Sequence, residues 1–299
     1  MLSRHGSNNQ IAQPDSLWVF WSDVEILSFV AVFGVMALYL WGVSKLIRRG
    51  DKWPIGRTLS FCIGGMGSIY VATQGPLAAL DTVLIWTHMV QHMILTMIAP
   101  VFLALGAPIT LVLRTAPLKL RKLIVRLLHS RYAKVMTFPL VAGGIFIINP
   151  WILYYTGIYE ITLTNTIVHN FNHLHFLVVG CVWIWSLIGL DPMPRMGHPL
   201  RLIAVFMTLP FHAFLGLSLM SSPTPIGGGY YESLIRDWGP TVLQDQEIAG
   251  GLLWAAGDFV GILIFLVLMI QWAKASDREA VRIDRELDRQ ERLSETGLK

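Results

Sequence analysis

Apolar residues run along this chain in unbroken stretches far longer than a globular core needs. Seven of them, at 26–46, 58–73, 82–105, 133–154, 163–190, 200–221 and 248–272, approach or exceed the roughly 20 residues with which a helix crosses a bilayer core. Within each stretch apolar and polar positions do not alternate, so the pattern predicts helices rather than strands. The expected architecture is an all-α integral membrane protein with seven transmembrane helices. Small residues (Gly64, Gly65, Gly67 and Ser68 in the second stretch, Gly143 and Gly144 in the fourth) predict close helix contacts. Three regions follow: a short external segment at 1–25, a seven-helix membrane domain at 26–272 and a charged cytoplasmic tail at 273–299.

Composition agrees with this reading. At 54% hydrophobic and 14% charged over 299 residues, the chain is too apolar for an ordinary soluble domain. Charge then orients it. Lys45, Arg48, Arg49, Lys52 and Arg57 lie between the first two stretches, and Arg114, Lys119, Arg121, Lys122, Arg126, Arg131 and Lys134 between the third and fourth. Arg195 and Arg201 join the fifth to the sixth, and seven further Lys or Arg follow Trp272. Thus 21 of the 23 basic residues fall on alternate connections, leaving Arg4 and Arg236 on the other side. By the positive-inside rule the N-terminus is expected outside and the C-terminus in the cytoplasm. The pI of about 9.1 therefore expresses topology, and nucleic acid is not an expected partner. The first 23 residues are polar, so no cleavable signal peptide is expected. Trp18 and Trp21 suit an outer interfacial anchor. The tail reads as a solvated helix with pairs such as Arg282–Glu286 and Asp288–Arg292.

Against this apolar background the ionisable groups stand out. His88 and His92 lie four residues apart in the third stretch, and His169 and His173 repeat the spacing in the fifth. That spacing projects each pair from one helix face. At 1.5 Å per residue, the two pairs, His212 and Asp258 all fall about 9 to 16 Å below the outer end of their helices. This shared depth points to one site in the outer half of the membrane, since polar groups there are costly. For the pairs, metal chelation and interhelical hydrogen bonding both remain open. His212 taken alone reads first as an interhelical hydrogen-bonding group, and Asp258 as a protonated acid, a histidine's ion-pair partner, a metal ligand or a ligand's supporting partner. His175 points about 200° round the helix from His173, and His129 falls in a basic loop. Pro210 is expected to kink the sixth helix near His212. Cys62 and Cys181 form no CxxC or Cys/His cluster, so neither a disulfide framework nor a thiolate zinc site is expected.

Imidazole suits copper, zinc or haem iron, and a thioether favours Cu(I). Met89, Met93 and Met97 form a stripe about 100° from the His88/His92 face; such a stripe serves more often as packing than as ligand. A histidine site beside methionine fits transient copper handling better than structural zinc. A copper permease, a membrane haem redox protein and an intramembrane zinc hydrolase stay open as alternatives, the last with Asp258 as its base.

The segment HMVQHMILTMIAPVFLALGAPITLVLR resembles the signature of the CtaG-type (caa3-type) cytochrome c oxidase assembly factors. Three later segments are similar to the same family in the same order: HNFNHLHFLVVGCVWIWSLIGLDPMP at 169–194, FHAFLGLSLMSSPTPIGGGYY at 211–231 and DQEIAGGLLWAAGDF at 245–259. The resemblance spans about residues 25–272. It implies a multi-pass protein of the bacterial plasma membrane, an assembly factor rather than an enzyme, that serves a haem-copper oxidase through copper. Its implied partners are the lipid bilayer, cytochrome c oxidase subunits and a periplasmic copper chaperone. Carried onto this chain, it implies His88, His92, His169, His173 and His212 as ligands, with Asp245, Gln246 and Asp258 in support. The longest outer connection, 222–246, holds Pro223, Pro225 and three consecutive glycines, and is expected either to cover the site or to dock a partner.

Overall fold

The computed structural model describes residues 11, 13, 14, 16–22, 24–188, 190–193 and 196–295. Arg4, Arg195 and Lys299 of the charge pattern, Pro194 of the family-like segment and most of the first ten-odd residues lie outside the described residues. Among the described residues helix accounts for 81%, and no β-strand forms.

The long helices follow the apolar stretches. Helix α1 is Ile26–Arg48, started by the Glu25 side chain, which accepts from the Ser28 amide at 2.7 Å. Helix α2 runs through Ile55–Leu59, a π-helical Ser60–Met66 and Gly67–Thr73, and the short α3 is Gly75–Leu80. Helix α4, Ile85–Leu105, is likewise interrupted by a π-helical segment, Ile94–Ile98. Left-handed Ala107 and then Pro108 break the chain direction before α5, Pro108–Thr115. Then come α6 (Leu118–Leu128), α7 (Arg131–Met136), α8 (Pro139–Tyr155), α9 (Ile158–Thr164), α10 (Thr166–Leu187), α11 (His198–Met220) and α12 (Val242–Glu295).

Five of these (α1, α4, α10, α11 and α12) are long and apolar enough to cross a membrane, and α8 with α9 makes a sixth if the pair, bent by 71°, is one span. The second expected stretch is helical, but Arg57 and the glycines of α2 dilute its hydropathy. Close contacts form at some of the expected glycines: a Cβ on Gly64 or Gly65 would strike Phe102 or Leu103 of α4, and one on Gly143 would strike Trp183 of α10, whereas Gly67 meets only its own helix and Gly144 faces open space.

Hydrogen bonds between connections show how the helices run. At one end Ile11 meets Ile235, Gln74 bonds Glu25, and Asp245 bonds Ile85 and Trp86. At the other, Tyr39 donates to Gly106, Lys45 to Thr115, and the Thr110 amide to Asp191. Helices α1, α4, α10 and α12 therefore start at one end, and α2 runs back between α1 and α4. Helix α4 is the most enclosed, with 67% of its most apolar window buried against 22% for α1. The outward faces of α1, α10 and α12 are apolar, as at Leu38, Ile167 and Phe259, which in a soluble domain would be an aggregation hazard.

Two expectations need correction. Arg201 is not in a loop: it is buried in the first turn of α11 and donates to Leu187 O at 2.7 Å, satisfying a carbonyl at the end of α10. The tail is helical, as expected, and continuous with the last span, since no glycine or proline falls between Gly261 and Glu295. Within it Arg282 pairs with Glu279 at 2.6 Å, one turn back, rather than with Glu286.

Candidate metal centre

The two histidine pairs sit near the starts of α4 and α10, and each start is held by a side chain. Four amides at the beginning of a helix lack intrahelical acceptors. For α4 a distant residue supplies the acceptor: the Asp245 carboxylate of α12 takes the Ile85 and Trp86 amides at 3.0 Å each, with Arg236 at 3.7 Å. For α10 it is Asn165, which accepts from the Ile167 and Val168 amides. The two helices then meet backbone to backbone, because Gly180 of α10 lies against the Thr96 peptide of α4. Thr96 is tied to the site in turn, its hydroxyl donating to His92 O at 2.7 Å. The π-helical segment of α4 starts immediately after Met93; such insertions occur frequently at functional sites.

This packing brings the four paired histidines together. Ring centroids stand 3.9 Å apart for His88–His92 and 4.3 Å for His169–His173, with 6.1 Å across each of His88–His169 and His92–His173. Asp81, in the turn after α3, joins them: its Oδ2 is 2.7 Å from His169 Nε2 and 3.8 Å from His173 Nε2. Asp81, His169 and His173 place their donor atoms within 4.8 Å of one another. His169 Nδ1 donates to Thr162 O at 3.2 Å, which leaves Nε2 to face the cluster.

Several nitrogens in this region lack partners. Both ring nitrogens of His88, and Nε2 of His92 and of His173, are buried without a hydrogen bond. His92 uses only Nδ1, at 2.9 Å from the Tyr154 hydroxyl. A buried unpaired polar atom costs about 1–3 kcal/mol. Asp81 Oδ2 with His169 Nε2 and the unpaired His173 Nε2 forms a donor set that a cation would satisfy, and the unpaired nitrogens of His88 and His92 stand in the neighbouring rings. Ligand atoms about 2.1 Å from an ion stand about 3.4 Å apart in a tetrahedron, and the 2.7 and 3.8 Å separations bracket that value. Borderline metals such as copper and zinc fit these imidazoles and this carboxylate.

The expected outer connection covers the cluster. Tyr231, only 2% exposed, bonds the Tyr159 hydroxyl at 2.7 Å and donates to Asp81 O at 3.4 Å. Burial, reinforced by the Asp81 and Asp245 carboxylates, holds the Tyr231 phenol well above its usual pKa range, so it stays a neutral donor. Gln246 pins the same loop, accepting from the Ile226 amide at 2.7 Å and donating to Leu219 O and Thr224 O.

Other residues singled out in the sequence lie elsewhere. His212 stacks on Phe146 at 5.3 Å and lines a cavity it shares with His92, Met89 and Met93, one layer from the cluster. Asp258 accepts from Trp254 of its own helix at 2.9 Å and is not gathered with the histidines. His175 bonds Asn149 at 2.8 Å and His129 bonds Val125 O, both outside the cluster. The methionine stripe is internal: Met89 receives the Tyr154 hydroxyl at 3.6 Å, and Met97 lines a cavity under His212. Asp245 and Gln246 bind backbone rather than the histidines. Asp81 and the tyrosines 154, 159 and 231 were missed. Asp81 sits in a short polar turn between two apolar stretches, where an acid is unremarkable.

A family model described as "Cytochrome c oxidase caa3 assembly factor (Caa3_CtaG)" matches residues 37–275. The chain belongs to this family. Among similar proteins are uncharacterized proteins of Mycobacterium bovis and Mycobacterium tuberculosis, each 34% identical over 286 residues, and one of Mycobacterium leprae, 30% identical over 292. The matches cover 93% of this chain but only 42–44% of those relatives, so the caa3 assembly factor chain spans less than half their length. No solved structure matches it.

Proposed function

We propose that this caa3 assembly factor holds copper in its buried His/Asp cluster and delivers it to a haem-copper oxidase in the plasma membrane. The observation that carries this reading is the packing of four histidines from two helices against one another, three of them with unpaired buried nitrogens and two of them on the Asp81 carboxylate, in a family named for oxidase assembly. Copper here is cargo. The protein's part is to offer ligands in a water-poor pocket, hold their orientation through Thr162, Tyr154 and Asp245, and cover them with the Tyr231 loop.

The proposed topology has seven crossings, with the N-terminus outside and the tail of α12 in the cytoplasm. The directions of α1, α2, α4, α10 and α12 and the distribution of Lys and Arg support it. The cluster then lies in the outer half of the bilayer, where a periplasmic copper chaperone could load it and oxidase subunits could unload it. Deleting the gene tests the function. The oxidase should retain its polypeptides and haem but lose copper and cytochrome c oxidase activity, with partial recovery at high copper. Full copper and full activity after deletion refute the proposal.

A further inference from the structure

We infer that Asp81 is a metal ligand and that it makes the cluster selective for a divalent ion, Cu(II) or Zn(II), over Cu(I). This rests on the metal-binding reading above and specifies the ion it takes. The methionine stripe alone would favour Cu(I), since thioethers are soft donors. The structure places a carboxylate, rather than a thioether, against the His169/His173 pair: Asp81 Oδ2 contacts His169 Nε2 at 2.7 Å, while Met89 accepts from Tyr154 and lines a cavity beside His92.

Asp81 is built into the site. It is 3% exposed, its backbone carbonyl receives Tyr231, and its Oδ2 lies between the two histidines of α10. The partner nitrogens are equally prepared. His169 Nδ1 is committed to Thr162 O, which presents Nε2 as the donor, and His173 Nε2 is buried with no hydrogen bond. Two imidazoles and a carboxylate make an N/O donor set suited to borderline divalent ions, with the His88 and His92 rings 6.1 Å from those of His169 and His173. Cu(I) gains little from a carboxylate oxygen.

The test is metal binding by the full chain in detergent, read by competition with chelators of known affinity. Cu(II) and Zn(II) are titrated in air, and Cu(I) under anaerobic reducing conditions. The wild type should bind a divalent ion more tightly than Cu(I). Asp81→Asn should weaken Cu(II) and Zn(II) binding by about tenfold to a hundredfold and change Cu(I) binding by less than threefold. The Cu(II) electron paramagnetic resonance spectrum should show imidazole nitrogen couplings in both proteins and shift between them. Preference of the wild type for Cu(I), or equal losses for both oxidation states in Asp81→Asn, overturns the inference but leaves copper handling intact. Binding of no metal by the wild type overturns both. If Asp81→Asn does not fold, the wild-type preference still decides, and Asp81→His, which replaces oxygen by nitrogen, should narrow it.

Discussion

Gly180 touches no proposed ligand, yet its replacement should empty the cluster. A Cβ built there would overlap the Thr96 carbonyl of α4, and would stand 2.8 Å from both the Thr96 carbonyl carbon and its Cα. Carbon atoms in good contact stand about 3.5–4.0 Å apart. Gly180→Ala must therefore move α10 from α4 by about 1 Å, and overpacking of this kind costs about 1–3 kcal/mol. The displacement matters more than the energy. Thr96 is one turn from His92, Gly180 two turns from His173, and the two rings are 6.1 Å apart across the interface. Metal-ligand distances tolerate only about 0.2 Å, so a 1 Å shift misplaces one pair relative to the other. Copper and zinc affinity should fall at least about tenfold, the loss typical when the groups that position ligands are disturbed, although every ligand remains. Gly144→Ala is the control: nothing lies within 4 Å of its Cβ, and alanine in a helix interior gains about 0.5–1 kcal/mol over glycine. The assay is metal competition on the detergent-purified protein beside its thermal unfolding followed by circular dichroism. Wild-type affinity and melting temperature in Gly180→Ala would show that the α4–α10 contact does not set the cluster.

Asp245→Ala removes the acceptor of the Ile85 and Trp86 amides and should cost about 1–2 kcal/mol as a lost cap, with weaker metal binding at His88 and His92; an unchanged melting temperature contradicts the capping role. Double replacement of His88 and His92, or of His169 and His173, by alanine should abolish metal binding, whereas His212→Ala and Asp258→Asn should alter it less than threefold, as measured by the same competition. Reporter fusions at the end of α12 and near Gly228 should report cytoplasm and periplasm respectively; periplasmic alkaline phosphatase activity at the end of α12 contradicts the seven-crossing topology.

Much of the helical layout was legible because lipid-facing helices leave an unambiguous sequence record: long apolar runs with basic residues at alternate ends. The histidine pairs were legible for a related reason, since polar residues at i and i+4 are conspicuous in such runs. The break at Ala107 and the continuation of α12 into its tail were harder to see. A left-handed residue writes no fixed signature, and a charged helix can either end at the membrane or run on. Asp81 was illegible because its meaning depends on distance in space. It is 88 residues from His169 and reaches it only in the folded chain. Asp258 stands apart for the converse reason: depth along a helix gives no information on rotation, and its Oδ2 accepts from Trp254 one turn away on its own helix while its Oδ1 is buried without a partner.

The central claim is that copper reaches the oxidase through the His/Asp cluster of this protein. The most direct measurement is the copper-to-haem ratio of the oxidase purified from a deletion strain that expresses either the wild-type chain or the variant with His88, His92, His169 and His173 all replaced by alanine, at equal membrane abundance. The oxidase made beside the wild-type chain should carry its full copper, and that made beside the variant should carry haem but be copper-deficient. Equal copper in the two oxidases contradicts the claim.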